Sequence, residues 1–127
     1  MADALQVELV AADRIVWSGE ASQVNARTVD GEIGIMRGHT PVMSLLAPSV
    51  VEVVTEGTKV VGSVDTGFIS VANDRVSILA EHATLGQEVD VAAVRAALEA
   101  ARASDSERAP EDVARLEALL KAAERAS

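Results

Sequence analysis

Leu5, Val7 and Leu9 alternate with Gln6 and Glu8, the period-two pattern of a strand with one buried face. Further along, residues 50–55 and 59–64 are rich in valine and flank Glu56-Gly57-Thr58, a short glycine-containing hairpin loop. Residues 68–71 and 75–79 flank Asn73-Asp74, a second turn pair. Turn signals recur about every 8–12 residues, the spacing of an antiparallel sandwich or barrel. No helix-length window separates these strands, so a parallel α/β sheet is not expected.

The period changes near Glu88. Val91, Val94, Leu98 and Ala101 form one stripe at helical spacing, with Asp90 placed to cap the first turn. Ser104-Asp105-Ser106 interrupts it. Pro110 then suits a first helical turn, with Glu111 and Asp112 near its positive end. Val113, Leu116, Leu120 and Ala123 form the second stripe. Two helices of about 13–16 residues, ~20–24 Å each, are predicted. The fold class is therefore mainly β with an α appendage: an N-terminal antiparallel β-sandwich over residues 1–87 and a C-terminal two-helix hairpin over residues 88–127. Composition supports the division. Every glycine lies at or before Gly86, and 13 of the 23 alanines fall after Glu88. Alanine without glycine favours helix, whereas β-branched residues with glycine punctuation favour strand. Alanine-rich seams bury little area, so the hairpin is expected to dock weakly and reversibly.

The chain of 127 residues is 49% hydrophobic, enough to fill a core. With one Phe, one Trp and no Tyr, that core must be aliphatic. A net charge of −9 argues against phosphate neutralisation and hence against nucleic-acid binding. The absence of cysteine excludes disulfides and thiol chemistry. Met1-Ala2-Asp3-Ala4 lacks the basic and apolar regions of a leader, and no apolar run approaches the ~20 residues of a membrane span. Direct membrane insertion is not expected.

No catalytic constellation is visible, and no catalytic residue or cofactor is assigned. His39 and His82 are the only histidines, and no ligand-like spacing joins them to carboxylates, so no metal site is expected. His39 reads as a loop histidine bonded to backbone or as an interface residue, and His82 as a polar contact at a sheet end or between domains. No G-x-S-x-G elbow or Walker-type phosphate loop occurs. Lys59 lacks the context of a modified hairpin lysine. Glu32 reads as a solvated loop carboxylate.

Residues 31–46 read G-E-I-G-I-M-R-G-H-T-P-V-M-S-L-L. By local physics this is two tight turns between short strands, with Gly31, Gly34, Gly38 and Pro41 as structural turn residues. The order Gly31-Glu32-Ile33-Gly34-Ile35, Gly38-His39, Pro41 also resembles the signature loop of the epsilon subunits of bacterial F-type ATP synthases. Two further segments fit. Gly67-Phe68-Ile69-Ser70-Val71 with residues 76–81 resembles the family's later strand pair, and residues 5–10 leading into Val16-Trp17-Ser18-Gly19 resemble its first hairpin. The resemblance covers about residues 4–88. Arg37 stands where the family usually has proline.

The resemblance implies a non-catalytic subunit of the central stalk, or rotor, coupling proton flow through the c ring to ATP synthesis. Glu32, Arg37 and His39 would form a docking loop facing the c-subunit ring, and the sandwich would also face the gamma subunit. The helices would reach the alpha/beta catalytic head and bear on ATP hydrolysis. The location implied is peripheral, on the cytoplasmic face of the bacterial cell membrane. Some members bind ATP through an acidic-x-x-Arg-Ala pattern. Here Asp90 is followed by Arg95 two residues too late, about 140° around a helix, so weak or no nucleotide binding is expected. Residues 89–127 carry six bases and eight acids, a net of −2, which disfavours an arm that inhibits at an acidic surface. A free-standing adaptor or binding sandwich is the alternative, and a small β-rich enzyme is a third.

Overall fold

A computed structural model describes residues 4–126. Residues 1–3, on which the leader-free reading largely falls, and Ser127 lie outside the described residues. Ten strands come first: β1 (Leu5–Ala11), β2 (Arg14–Ala21), β3 (Gln23–Thr28), β4 (Gly31–Met36), β5 (Val42–Leu46), β6 (Ser49–Thr55), β7 (Thr58–Val64), β8 (Gly67–Ala72), β9 (Arg75–Ala80) and β10 (Ala83–Leu85). A 3-10 turn, Gly86–Glu88, leads to α1 (Val91–Arg102) and α2 (Ala109–Ala126).

The strands run in the order β10-β7-β6-β3-β5-β8-β9-β1-β2, with β4 paired to β3. The sheet curls until β2 lies against β6 and β10, which closes a sandwich. Local turn chemistry fixes the hairpins as expected. Asn73 and Asp74 both take positive φ, 51° and 61°, the mirror-image turn that suits strand twist. Gly57, at φ 82°, closes β6 onto β7. One pairing departs from the antiparallel expectation: β1 runs parallel to β9, with Val7 opposite Val76 and Leu9 opposite Ile78. Hairpin signals report sequential neighbours, and a pairing 69 residues apart leaves no local trace.

The core is aliphatic. Leu5, Leu9, Val24, Ile35, Ile69 and Ile78 are fully buried. Trp17 is only partly buried, packed against this cluster. Alternation in β1 falls as predicted, with Leu5, Val7 and Leu9 inside and Gln6 and Glu8 outside.

The helices are 12 and 18 residues long, one shorter and one longer than the 13–16 residues expected. α1 packs on α2, and α2 packs on β6, β7 and the 3-10 turn. The predicted stripe of α2 is incomplete. Leu116 is buried, but Val113, Leu120 and Ala123 are half-buried, while Ala118 and Ala122 are buried on another face. At 100° per residue Ala118 lies about 160° around the helix from Leu116. α2 therefore carries two contact faces, and the alanine face meets the sandwich. Gly86 makes this close approach possible: a Cβ there would collide with the carbonyl oxygen of Ala122 and stand 2.7 Å from Ala126 Cβ. Among the described residues no helix is long and apolar enough to cross a membrane.

Candidate functional site

The glycine-rich segment is a strand bounded by two turns. Glu32 is not a loop residue, as the sequence reading had it. It lies exposed on β4 opposite Arg27 of β3. Arg37 and His39 occupy the turn at the other end of β4, roughly 16 Å from Glu32 at 3.3 Å per residue. The structure thus brings Arg37 and His39 together and leaves Glu32 apart, because an extended strand separates them. Gly31 (φ 126°) and Gly38 (φ 86°) take the positive φ that their turns require. Gly34 takes no such φ. It sits inside β4 beside the Asn25 side-chain Oδ1, from which an added Cβ would stand 3.3 Å. Pro41 precedes β5.

The turn after β4 is held from two sides. The His39 N–H donates to the Met36 carbonyl at 3.1 Å. The Gly38 N–H donates to Asp74 Oδ1 at 2.7 Å, and Arg37 Nε stands 3.8 Å from Asp74 Oδ2. His39 Nδ1 lies 2.7 Å from the Thr40 carbonyl, so this histidine is bonded to backbone.

The sequence reading missed an apolar row on the outer face of the sheet. Leu45, Phe68, Leu79, Val10 and Ile15 are successive cross-strand partners on β5, β8, β9, β1 and β2. At about 4.8 Å per strand they form a row ~19 Å long. Phe68 is 47% exposed, Leu79 46%, Leu45 52% and Ile15 66%, and Met43 lies beside the row at 71%. A shallow apolar depression of about 490 Å³ lies along it, lined by Val10, Leu45, Phe68 and Leu79. The signal was the doublets Leu45-Leu46, Phe68-Ile69 and Ile78-Leu79. A strand turns successive side chains to opposite faces, so one member of each doublet must face outward. Leu46, Ile69 and Ile78 are the buried members.

His82 is an exposed contact at a sheet end of the sandwich. Its N–H donates to Asp65 Oδ1 at 2.8 Å, and its Nδ1 lies 2.6 Å from Asp65 Oδ2. Lys59 pairs with Glu52 at 3.2 Å, and Arg125 of α2 reaches the same carboxylate at 3.6 Å. On the linker, the Arg14 guanidinium grips Glu88 at 3.0 and 3.3 Å. That hydrogen bond, followed by one from the Leu85 N–H, holds the Glu88 carboxyl below the usual carboxylate range. Asp90 caps α1 by accepting the Ala93 N–H at 3.1 Å, while Arg95 lies exposed one turn on. A polar cleft of about 810 Å³ is lined by residues of α2, β3, β4 and β6. Among the described residues no group of three or more His, Asp or Glu is arranged to hold a metal ion.

An apolar sheet face, a turn tied to the β8–β9 hairpin and a docked pair of helices define a β-sandwich protein with a helical appendage. The family model described as ATP synthase, Delta/Epsilon chain, beta-sandwich domain matches residues 4–86. The chain is 52% identical over 110 residues to the ATP synthase epsilon chain of Streptomyces griseus, covering 86% of this chain and 88% of that one. It is 54% identical over 101 residues to that of Thermobifida fusca, covering 76% and 74%. Its structure resembles a chain in the Euglena gracilis mitochondrial ATP synthase (OSCP, F1 and c-ring) with TM-score 0.83 at 26% identity, over 97% of this chain and 83% of that one. The fold recurs in the Tetrahymena thermophila central stalk and c-ring structure, with TM-score 0.64 at 13% identity, over 93% and 95%. This chain belongs to the ATP synthase delta/epsilon family, among its epsilon chains.

Proposed function

We propose that this chain is a non-catalytic rotor subunit that couples proton flow through the c ring to ATP synthesis. The observation that carries the reading is the apolar row Ile15–Val10–Leu79–Phe68–Leu45. Half-exposed side chains of this size each contribute about 1 kcal/mol when a partner covers them. A row of five strands is wide enough to seat one long element, and the occupant proposed is the gamma subunit. The turn carrying Arg37 and His39 meets the polar loops of the c ring, and Glu32, on the far end of β4, belongs to a separate contact. The hairpin faces the alpha/beta head, where its acidic balance makes any restraint on ATP hydrolysis weak. The subunit sits on the cytoplasmic face of the bacterial cell membrane, held there by its partners.

The test is a mild-detergent pull-down of the tagged chain from source membranes, read by native mass spectrometry, beside the Phe68→Asp variant. The wild-type chain should bring down gamma and the alpha/beta head. Phe68→Asp should lose both while keeping its melting temperature, because the side chain is half outside. Equal recovery by the variant would refute the apolar face as the gamma seat. Recovery of the wild-type chain alone at low salt would refute the rotor reading and favour a free-standing adaptor.

A further inference from the structure

Asp74 occupies a backbone position that glycine or asparagine fits better. Its φ is 61°, in the left-handed region where a Cβ crowds the following carbonyl. Two-residue hairpins of this kind favour glycine at that second position. The carboxylate accounts for the choice. Its Oδ1 accepts the Gly38 N–H at 2.7 Å, and its Oδ2 faces Arg37 Nε at 3.8 Å. The Asp74 carbonyl accepts the Gln6 N–H at 2.8 Å. One residue of the β8–β9 turn thereby ties together the start of β1 and the turn after β4, 36 residues away in sequence. A charge-assisted hydrogen bond to a backbone N–H is among the strong ones, and this one bears on the turn that presents Arg37 and His39.

We infer that Asp74 is a positioning residue: it clamps the turn at residues 37–39 so that Arg37 and His39 meet their partner in one fixed geometry. The inference rests on the c-ring docking role proposed above. Torque passing through a contact is lost if the contact yields. A turn held only by its own His39-to-Met36 hydrogen bond would move independently of the sandwich, whereas the Asp74 carboxylate makes it part of the β8–β9 hairpin. Arg37 contributes by facing the same carboxylate, and Gly38 contributes the amide that a positive φ turns toward it.

Asp74→Gly separates the clamp from the fold. Glycine relieves the left-handed strain and so offsets part of the lost hydrogen bond, and the hairpin should persist with only a small fall in melting temperature. Asp74→Asn keeps an acceptor oxygen for Gly38 and removes the charge beside Arg37. Two measurements are needed on these variants. The first is amide exchange at Gly38 in the full chain by NMR, expected to quicken about tenfold in Asp74→Gly and less in Asp74→Asn. The second is the number of protons pumped per ATP hydrolysed by ATP synthase reassembled with each variant. It should fall in Asp74→Gly and be largely restored in Asp74→Asn. Unchanged exchange at Gly38 would overturn the clamp itself. Faster exchange with undiminished pumping would overturn the docking role and leave Asp74 a purely structural clamp, so the two failures are distinguishable.

Discussion

Gly86→Ala should release the helical hairpin and leave the sandwich folded. The backbone of Gly86 does not lie in the positive-φ region, so alanine brings no local backbone strain. The conflict is steric and lies entirely with α2. The new methyl would overlap the Ala122 carbonyl oxygen, and would stand 2.7 Å from Ala126 Cβ and 2.8 Å from the Ala122 carbonyl carbon. Ordinary carbon–carbon contacts lie near 3.5–4.0 Å, so α2 must retreat by about 1 Å or detach. Its sandwich-facing side is alanine, and burying Ala118 and Ala122 contributes together about 2 kcal/mol. Overpacking costs about 1–3 kcal/mol, a range centred on that contribution. Hydrogen exchange on the full chain is the assay: α2 amides should lose protection by about tenfold or more while β1, β8 and β9 keep theirs. Gly67→Ala is the contrasting variant, because its methyl would strike the Leu79 carbonyl inside the sheet and should destabilise the sandwich itself. Full protection of α2 in Gly86→Ala, with an unchanged melting temperature, would refute the weak alanine seam.

Acidification should loosen the same linker. The Glu88 carboxyl is held below its ordinary value by Arg14 and the Leu85 N–H, so its contribution is complete above pH of about 4.3 and is lost as pH falls through the depressed folded value. Protection of the Leu85 amide, taken relative to the intrinsic exchange rate at each pH, should therefore fall as pH drops through that depressed value, and Glu88→Gln should show the lower protection already at neutral pH. Asp65→Ala should lower stability by about 1–3 kcal/mol in chemical denaturation, because it strips a nearly buried acceptor from His82, whereas His82→Ala, whose ring is 72% exposed, should cost less. Millimolar ATP should leave the melting temperature unchanged, since the Asp90 carboxylate is engaged in capping Ala93. A dissociation constant near 0.1 mM would instead add about 1.4 kcal/mol, a rise of roughly 5 °C that would refute the expectation.

Much of the architecture is written in local patterns. Period-two alternation in residues 5–9, the turn pair Asn73-Asp74 and the cap Asp90 each act within a few residues, so strands, hairpins and the α1 start are legible from the chain alone. An aliphatic core follows from the near-absence of aromatics. Four things required the tertiary structure. The parallel pairing of β1 with β9 joins segments about 69 residues apart and depends on how the sheet closes. The outward members of the doublets at 45–46, 68–69 and 78–79 are chosen by register, because a one-residue slip exchanges inside and outside. Glu32 parts from Arg37 and His39 because the residues between them extend along β4, held straight by antiparallel pairing to β3. The second face of α2 is alanine, which hydropathy scarcely marks, and only the approach of Gly86 shows that a helix backbone lies against it. Local chemistry decides which elements form. Burial, shared among residues far apart in the chain, decides which of their faces remain for a partner.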